Sequence, residues 1–387
     1  MKHNLLIPIA GKGSRFVEQG YTIPKQLITA QNKQCLDWSL ESFKIEDFNL
    51  IFIIREEHKV NYSLDKVLIS KYGPETKVVV LDSMTRGSVE SCLYAEEYID
   101  NNNPLTIFTM DVAFLPIVTA KDLMTDHDGI LLTFKSNSPN YSYAQYDEKF
   151  RVTRTAEKEV ISDRALVGVY HFKTGSSFVK NAHILIDKDI KSKNEFYIAP
   201  MYNLLIESGM DIAMKDVNEM HLFGTPEELD FFENINLRSK NRGPVGLCSD
   251  HSGFLLKEST KIILEKFGIQ YTDYGSFHDK DCDYNDFVKL AISAFADNKI
   301  NKIFSFCRTG QGVNMCGSKY KNILSALIYD LNSAKHAVEH NAANYFSFPQ
   351  NIWTEETLEE AIELIFKSSF SGARHQGRIM KILKTQS

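Results

Sequence analysis

Two glycines and two cations stand close together near the start of the chain and form a phosphate-binding pattern. Gly11 and Gly13 follow the apolar run Leu5–Ile9, which predicts a buried strand. Glycines directly after a strand let the backbone approach a bulky anion, whose oxygens the N–H groups of the turn can bind. Arg15 adds a bidentate guanidinium and Lys25 a compact ammonium. A triphosphate is the ligand that uses all of these groups.

The spacing excludes the commoner phosphate loops and matches one enzyme family. The segment GKGSRF lacks the G-K-[ST] ending of the Walker loop and the third glycine of the dinucleotide fingerprint. With Ser14 and a Pro-Lys pair that ends in Lys25, it resembles the signature of the sugar-phosphate nucleotidylyltransferases, or NDP-sugar pyrophosphorylases. The resemblance implies that Gly11, Gly13 and Ser14 bind the nucleoside triphosphate. It also implies that Arg15 and Lys25 act on the phosphates.

A carboxylate closes a later apolar strand. The run Pro104–Met110 predicts a strand that ends at Asp111. Such a residue often only caps the next turn. Beside a triphosphate site it is better explained as a ligand of Mg²⁺, which usually takes one or two carboxylates together with substrate phosphates. The family resemblance implies the same role for Asp111, so we expect Mg²⁺ as the cofactor.

Two further stretches, within a match that covers roughly residues 1–235, resemble the same family. Gly87 and Ser88 open a predicted helix, where Ser88 by itself would be a helix cap. The resemblance implies that both residues lie near the base of the nucleotide. Glu157 and Lys158 by themselves would be a solvated surface pair. The resemblance implies that Glu157 meets sugar hydroxyls and that Lys158 meets a phosphate.

One position departs from the pattern of the family. Many relatives carry an aspartate as second metal ligand where this chain has Leu222. Asp216 or Glu219 is a substitute close by in sequence, and Asp111 alone is the other alternative. The sequence leaves the second metal ligand open.

Apolar runs separated by helical segments must position these side chains. Leu50–Ile54 and Val78–Leu81 predict buried strands, and Leu36–Phe43 predicts a short helix after the phosphate loop. Such alternation predicts a mostly parallel sheet that is covered on both faces and binds ligands at the carboxyl ends of its strands. We therefore expect an α/β domain with a Rossmann-like mixed sheet over residues 1–236.

Length, charge and cysteine spacing restrict the class of protein. A chain of 387 residues exceeds what one hydrophobic core usually supports, which predicts two domains. The formal net charge of -6 argues against nucleic acid or an anionic membrane as partner. The N-terminus predicts a first strand rather than a signal peptide, and no apolar run is long enough to span a membrane. The 6 cysteines lack the spacing of a zinc site or a disulfide framework, so we expect a cytoplasmic protein.

A polar, basic stretch at residues 237–243 predicts a linker. The strand-and-loop pattern restarts directly after it, which predicts a smaller, Rossmann-like parallel α/β domain over residues 244–387. This second part resembles the B-type ribose-5-phosphate isomerases and the related galactose-6-phosphate and allose-6-phosphate isomerases. The motifs that carry the resemblance are SDHSGF at Ser249–Phe254, DYxDF at Asp283–Phe287, CxTGxG at Cys307–Gly312, EHNxxN at Glu339–Asn344 and GxRHQxR at Gly372–Arg378.

The residue types in these motifs suit the chemistry of aldose–ketose isomerisation. It needs a base that moves a proton between C1 and C2, and donors for the enediolate oxygen. A cysteine at the mouth of a glycine-rich turn can be that base, although a lone cysteine is usually an inert buried thiol. The resemblance implies that Cys307 is the base and that Thr309 serves the enediolate. The resemblance also implies that Asp250 holds sugar hydroxyls. The residues that it implies for the terminal phosphate are His251, Arg374 and Arg378.

Two departures concern this isomerase site. The ring-opening histidine of the family is replaced by Tyr329, and the glycine after Cys307 is replaced by Arg308. Tyrosine, with a usual pKa of about 10, is a poor proton shuttle at neutral pH. The substrate is then an open-chain sugar or one with a second anion, or the domain keeps only binding and dimerisation.

The two halves together predict a bifunctional enzyme that supplies an activated sugar for surface polysaccharide. The alternative is a nucleotidylyltransferase with a catalytically inactive isomerase-like sensor and dimerisation domain, and a transferase for a non-sugar phosphate is a third possibility. Because the resembled isomerases are dimers, we expect a homodimer built through residues 244–380. The sequence leaves open which nucleoside triphosphate and which sugar phosphate are used.

Overall fold

The computed structural model describes residues 2–30, 32–233 and 244–385. Contacts divide the chain into two units, Met1–Pro226 and Glu227–Ser387. The linker expected at residues 237–243 lies outside the described residues. Across the described ranges, no helix is long and apolar enough to cross a membrane.

The strands of the first unit alternate with helices. In chain order the strands are β1 His3–Pro8, β2 Thr29–Ala30, β3 Lys33–Gln34, β4 Phe48–Arg55, β5 Lys77–Leu81, β6 Leu105–Phe108, β7 Val112–Leu115, β8 Gly129–Lys135, β9 Tyr143–Tyr146, β10 Val152–Ala156, β11 Arg164–Phe172, β12 Ile212–Asp216 and β13 Glu219–Leu222. The helices are α1 Ser14–Glu18, α2 Cys35–Leu40, α3 Glu56–Tyr62, α4 Leu64–Tyr72, α5 Ser88–Leu93, α6 Glu96–Ile99, α7 Ala120–Leu123, α8 Gly175–Asp187 and α9 Ile198–Glu207. The next helix, α10 Pro226–Phe231, begins at the boundary, and all its residues after the first lie in the second unit. Short 3₁₀ turns lie at Lys25–Leu27 and Ile45–Asp47.

The main sheet of the first unit is mixed, as the sequence predicts. Its strand order in the described residues is β10-β9-β11-β6-β1-β4-β5, with β8 between β11 and β12. β1 pairs in parallel with β4 and β6, whereas β11 runs antiparallel to β6 and β8. Leu5, Leu6 and Ile7 in β1 are fully buried, because a strand at the centre of such a sheet is covered on both faces.

A separate two-stranded ribbon lies next to the end of β6. β13 runs antiparallel to β7, so that Leu222 pairs with Val112. Asp111 lies between β6 and β7, and its C=O accepts a 3.1 Å hydrogen bond from the N–H of Phe223. The ribbon therefore fixes the backbone on both sides of Asp111.

The second unit contains a parallel sheet, as the sequence predicts. Its strands are β14 Val245–Ser249, β15 Tyr271–Asp273, β16 Lys302–Cys307, β17 Ser325–Leu327 and β18 Tyr345–Pro349. They lie in the order β15-β14-β16-β18-β17, and every pairing is parallel. The helices of this unit are α11 Phe254–Lys266, α12 Tyr284–Ala296, α13 Gln311–Gly317, α14 Leu331–Glu339, α15 Glu355–Lys367 and α16 Ala373–Thr385.

Cross-strand aromatic pairs hold the centre of the second sheet. Phe304 and Phe306 of β16 lie opposite Phe346 and Phe348 of β18, with ring centroids 5.4 Å apart in both pairs. Each such pair contributes about 1 kcal/mol beyond the burial of its surface. This packing places the carboxyl end of β16, which ends at Cys307, on a rigid part of the sheet.

Candidate active sites

The loop after β1 and the loop after β6 share one cleft of about 360 Å³. The residues predicted for nucleotide and metal that line it are Gly11, Gly13, Ser14, Arg15, Lys25 and Asp111. β1 and β6 are parallel neighbours, so both loops emerge at the same edge of the sheet. The cleft therefore lies where open α/β sheets bind their ligands.

The glycine loop combines a forced backbone conformation with open space. Gly13 has a φ of 59°, in the left-handed region that strains other side chains. Its C=O accepts the N–H of Phe16 at 2.8 Å, which closes the turn. A Cβ at Gly11 would meet no atom within 4 Å, so packing inside the chain does not require glycine there. Space beside Gly11 is what the close approach of a bulky anion needs.

Lys25 and Asp111 contact each other inside the cleft. Lys25 begins the turn Lys25–Leu27, and its Nζ forms an ion pair with Oδ1 of Asp111. The Lys25 side chain is 11% exposed, whereas that of Asp111 is 59% exposed. Asp111 thus presents an accessible carboxylate to the cleft, with an ammonium group against one of its oxygens.

The cleft offers a divalent cation one carboxylate. Among the described residues that line it, Asp111 is the only acidic one. Leu222 lies on the strand beside Val112 and is 6% exposed. A buried apolar side chain therefore occupies the position where the resembled family has its second metal ligand.

The two substitute carboxylates are engaged elsewhere in the first unit. Asp216 accepts a 2.6 Å hydrogen bond from Oγ1 of Thr133, and Oε1 of Glu219 lies 2.5 Å from Nε2 of His221. The described residues contain no group of three or more His, Cys, Asp or Glu arranged to hold a metal ion. The donor present fits Mg²⁺ that is bound by Asp111 together with substrate phosphates.

Gly87 and Ser88 are fixed by backbone contacts to Phe196. The N–H of Phe196 donates to the C=O of Arg86, and the N–H of Val89 donates to the C=O of Phe196, both at 3.0 Å. Gly87 has a φ of 145°, and a Cβ there would collide with the Phe196 backbone. The guanidinium of Arg86 lies 5.1 Å from the centre of the Phe196 ring. These contacts hold the loop that the sequence predicts for the base of the nucleotide.

Glu157 and Lys158 are not a solvated surface pair, because both side chains have specific partners. The Nζ of Lys158 donates to the hydroxyl of Tyr197 at 3.1 Å and lies 4.9 Å from the centre of the same ring. Glu157 accepts a hydrogen bond from Ser142, and burial raises the pKa of its carboxyl group. No role for Tyr197, which directly follows the buried Phe196, was predicted from the sequence.

The predicted isomerase residues lie at the carboxyl edge of the second sheet. Ser249 of β14 pairs with Phe306 of β16, so Asp250, directly after β14, and Cys307, the last residue of β16, lie at neighbouring strand ends. The N–H of Asp250 lies 3.3 Å from the C=O of Phe306. A Cβ at Gly253 would fall 2.4 Å from the Phe306 backbone, so only glycine lets this loop approach β16 so closely.

Cys307 is 4% exposed, and its C=O accepts the N–H of Gln350 at 3.0 Å. Thr309, two residues later, is exposed. Gly310 then adopts a φ of 71°, and a Cβ there would fall 2.6 Å from Leu327. The sequence thus forces a tight turn between Cys307 and α13, with Thr309 at its surface.

Asp250 and His251 have different surroundings. Oδ1 of Asp250 accepts the N–H of Gly253 at 2.8 Å, and burial raises the pKa of its carboxyl group. Nδ1 of His251 lies 3.2 Å from both the backbone nitrogen and the carbonyl oxygen of Cys282, and 3.3 Å from Oδ1 of Asp281.

The two residues that replace family positions are both accessible. Tyr329 follows β17, and its side chain is 61% exposed. Arg308 is exposed next to the buried Cys307. In the described part of the chain, Arg308 has no carboxylate partner. Its guanidinium is therefore available to an anion at this edge of the sheet.

Stacked histidines join the two last isomerase motifs. The rings of His340 and His375 are parallel within 2°, with centroids 4.4 Å apart, and His336 stacks on His340 at 4.5 Å. Burial, together with the nearby His340, Arg374 and Arg378, lowers the pKa of His375 to about 4. Neutral His375 can therefore accept, at Nε2, the 3.2 Å hydrogen bond that Nε of Arg374 donates. Among the described residues, no hydrogen bond or ion pair joins Arg374 or Arg378 to Cys307.

Comparison with known proteins decides the family. The family model described as Nucleotidyl transferase matches residues 6–209, more than half of the chain. The chain belongs to the nucleotidyl transferase family. A second family model, Ribose/Galactose Isomerase, matches residues 245–382. The chain therefore combines a nucleotidyl transferase domain with a C-terminal ribose/galactose isomerase domain, as both resemblances predicted.

Individual relatives of the nucleotidyl transferase match one half each. The crystal structure of the nucleoside-diphosphate-sugar pyrophosphorylase from Vibrio cholerae RC9 is 27% identical, with a TM-score of 0.52 over 59% of this chain and 98% of that chain. The putative sugar phosphate isomerase YwlF of Bacillus subtilis is 29% identical over 36% of this chain and 93% of its own length. The probable ribose-5-phosphate isomerase B of Mycoplasma genitalium is 31% identical over 36% of this chain and 92% of its own length.

Proposed function

We propose that this nucleotidyl transferase is a bifunctional enzyme. Its first unit transfers a nucleotidyl group from a nucleoside triphosphate to a sugar phosphate and releases pyrophosphate, and its second unit interconverts aldose and ketose phosphates. The observation that supports the transfer is the single cleft that Arg15, Lys25 and Asp111 line. Two cations and one accessible carboxylate suit a triphosphate with its divalent ion.

The transfer needs no covalent enzyme intermediate. An oxygen of the acceptor phosphate attacks the α-phosphorus in line, so that a new P–O bond forms while the bond to the leaving pyrophosphate oxygen breaks. Arg15 and Lys25 neutralise the triphosphate, and Lys158 orients the acceptor phosphate. Asp111 would hold Mg²⁺, which when bound supplies further charge neutralisation on the triphosphate. Catalysis comes from positioning and electrostatics.

The isomerase chemistry uses the carboxyl edge of the second sheet. The Cys307 thiolate takes the proton from C2 of the open-chain aldose and returns it to C1, while the hydroxyl proton of O2 passes to O1, which leaves the carbonyl at C2. Thr309 and neighbouring amides stabilise the enediolate oxygen, and Asp250 holds sugar hydroxyls. Arg374 and Arg378 bind the terminal phosphate.

The chemistry of the isomerase restricts how the two activities connect. A carbonyl at C1 must be free, so the isomerase substrate carries its phosphate at the far end. The transferase then uses that terminal phosphate directly, or a mutase acts between the two steps. Either route supplies a nucleotide-activated sugar. We propose that this sugar is used in the cytoplasm for the synthesis of surface polysaccharide.

The second candidate function keeps the transferase but removes the isomerase activity. The exposed side chains of Tyr329 and Arg308 favour it, because they replace the ring-opening histidine and a glycine of the resembled family. In this case the second unit binds a sugar phosphate as a sensor and joins two chains. We propose a homodimer through residues 244–380 in either case, and light scattering at micromolar concentration that gives the mass of one chain would contradict it.

Pyrophosphate release tests the transferase function. The purified protein is assayed with CTP, UTP, GTP and dTTP, Mg²⁺ and a panel of pentose and hexose phosphates. Release that needs one nucleotide and one sugar phosphate, and that Asp111→Ala abolishes, supports the proposal. Release with only a 1-phosphate would show that the two units do not hand on a substrate directly, and no release with any pair would contradict the transferase function.

A further inference from the structure

The ion pair between Lys25 and Asp111 gives Lys25 a second role in the cleft, an inference that rests on the proposed nucleotidyl transfer. We propose that the ammonium of Lys25 pairs with the metal ligand Asp111 in the nucleotide-free protein and so takes the place of a metal ion there. A divalent cation then binds Asp111 tightly only together with a triphosphate, whose phosphates draw Lys25 away. Lys25 is thereby a positioning residue for the metal as well as a phosphate contact.

Geometry and burial support this role. The ammonium of Lys25 lies against Oδ1 of Asp111, and the lysine is the more buried of the two side chains. A cation that approaches Asp111 must therefore compete with an ammonium that is already inside the cleft. Because both compete for the same carboxylate oxygen and repel each other, Lys25 weakens the affinity of Asp111 for a metal ion.

The surroundings give the metal no second carboxylate. Leu222 is buried on the strand beside Val112, and Asp111 is the only acidic residue among the described ones that line the cleft. A single carboxylate in contact with a lysine is a poor site for a free divalent ion. Mg²⁺ usually completes such a site with substrate phosphates and water.

The charge of the cleft changes sign when a triphosphate enters. Arg15, Lys25 and Asp111 together carry one net positive charge, which repels a free metal ion. A triphosphate brings several negative charges, pairs with Arg15 and Lys25, and leaves the oxygens of Asp111 to the metal. The metal and the nucleotide are therefore expected to bind with strong positive coupling.

Mn²⁺ binding, followed by the electron paramagnetic resonance signal of the free ion, tests this role without turnover. The protein is titrated with Mn²⁺ alone, and again with the α,β-methylene analogues of CTP, UTP, GTP and dTTP. Lys25→Gln removes the ammonium, and Lys12→Gln removes an equal charge from the glycine loop at a residue that does not line the cleft. The double variant Lys25→Gln/Asp111→Asn removes the carboxylate as well, and circular dichroism confirms that each variant is folded.

We expect Lys25→Gln to bind Mn²⁺ alone about tenfold more tightly than the wild-type protein, and Lys12→Gln to leave the affinity unchanged. The double variant should lose the gain. Equal Mn²⁺ affinity of wild type and Lys25→Gln, or a gain that survives Asp111→Asn, would overturn the role of Lys25. Failure of every analogue to bind the wild-type protein would instead overturn the proposed function, and the titrations with Mn²⁺ alone would still decide on Lys25.

Discussion

A Cβ at Gly87 would lie 2.5 Å from the backbone nitrogen of Phe196. The residue after Phe196 is Tyr197, whose hydroxyl accepts the hydrogen bond from Lys158. The segment Phe196–Tyr197 therefore joins the loop predicted for the nucleotide base to the lysine predicted for the acceptor phosphate. Both groups depend on the same few backbone and side-chain contacts.

Replacement of Gly87 should disturb this segment. In Gly87→Ala the new Cβ meets the Phe196 backbone at a φ of 145°, so we expect a loss of about 2 kcal/mol in the free energy of unfolding and weaker nucleotide binding. The matched control is Gly73→Ala, because Gly73 also has a positive φ but no atom within 4 Å of a Cβ. Urea unfolding measures both variants, and equal losses would show that the contact with Phe196 is unimportant.

Removal of the Tyr197 hydroxyl should weaken binding of the acceptor sugar phosphate and change nucleotide binding much less. In Tyr197→Phe the ring stays beside Lys158, but the 3.1 Å hydrogen bond is lost. We expect the KM for the sugar phosphate to rise about tenfold, with a smaller change in kcat and in nucleotide affinity. Tyr94→Phe, at an exposed position, is the control. An unchanged KM in Tyr197→Phe would remove Tyr197 from the acceptor site.

Two buried histidines should make the first unit sensitive to acid. Oγ1 of Thr106 lies 2.8 Å from Nε2 of His3 and 3.1 Å from Nδ1 of His171. Burial lowers the pKa of His3 to about 4 and that of His171 to about 3. Because both values lie below that of an unfolded histidine, about 6.5, the stabilisation is complete above that pH and is lost as the pH falls toward the folded values.

We therefore expect each of these histidines to lower the free energy of unfolding by about 2 kcal/mol at pH 5 relative to pH 8. Urea unfolding over this range measures the slope. His171→Gln should reduce the slope even where it lowers stability overall, and His278→Gln, at an exposed position, should leave it unchanged. An identical slope in His171→Gln would contradict the assignment.

Strand ends could be predicted from the sequence because apolar runs mark them locally. The strands predicted at Leu50–Ile54 and Val78–Leu81 lie within β4 and β5. The cleft of Gly11, Lys25 and Asp111 was predictable for the same reason, since parallel strand ends meet at one edge.

Contacts between residues far apart in sequence could not be predicted. Nothing in the composition of Glu157-Lys158 indicates Tyr197 as a partner, because that contact depends on how α9 packs against β10. The stacking of His340 on His375 likewise joins the residue that directly follows α14 to the first turn of α16. The pairing of Leu222 with Val112 depends on the ribbon of β7 and β13, which joins two segments far apart in sequence.

Restoration of the family residues should separate the two proposals for the second unit. If the wild-type protein has isomerase activity on ribose 5-phosphate or a hexose 6-phosphate, Cys307→Ser should lower it at least about 100-fold, since a general base is lost. If the wild-type protein has none, Tyr329→His/Arg308→Gly should create activity, which would support the sensor. Coupled assays of ketose formation measure both cases. Wild-type activity that survives Cys307→Ser would contradict the role of Cys307.

The central claim, nucleotidyl transfer in the cleft of Lys25 and Asp111, is tested most directly by ³¹P NMR of the products. The protein is incubated with Mg²⁺ and the nucleotide and sugar phosphate that give pyrophosphate release. Transfer predicts equal amounts of pyrophosphate and of a new diphosphate whose two phosphorus atoms couple to each other, and neither in Asp111→Ala. Formation of a nucleoside monophosphate, or of a nucleoside diphosphate with inorganic phosphate, would show hydrolysis instead and contradict the account.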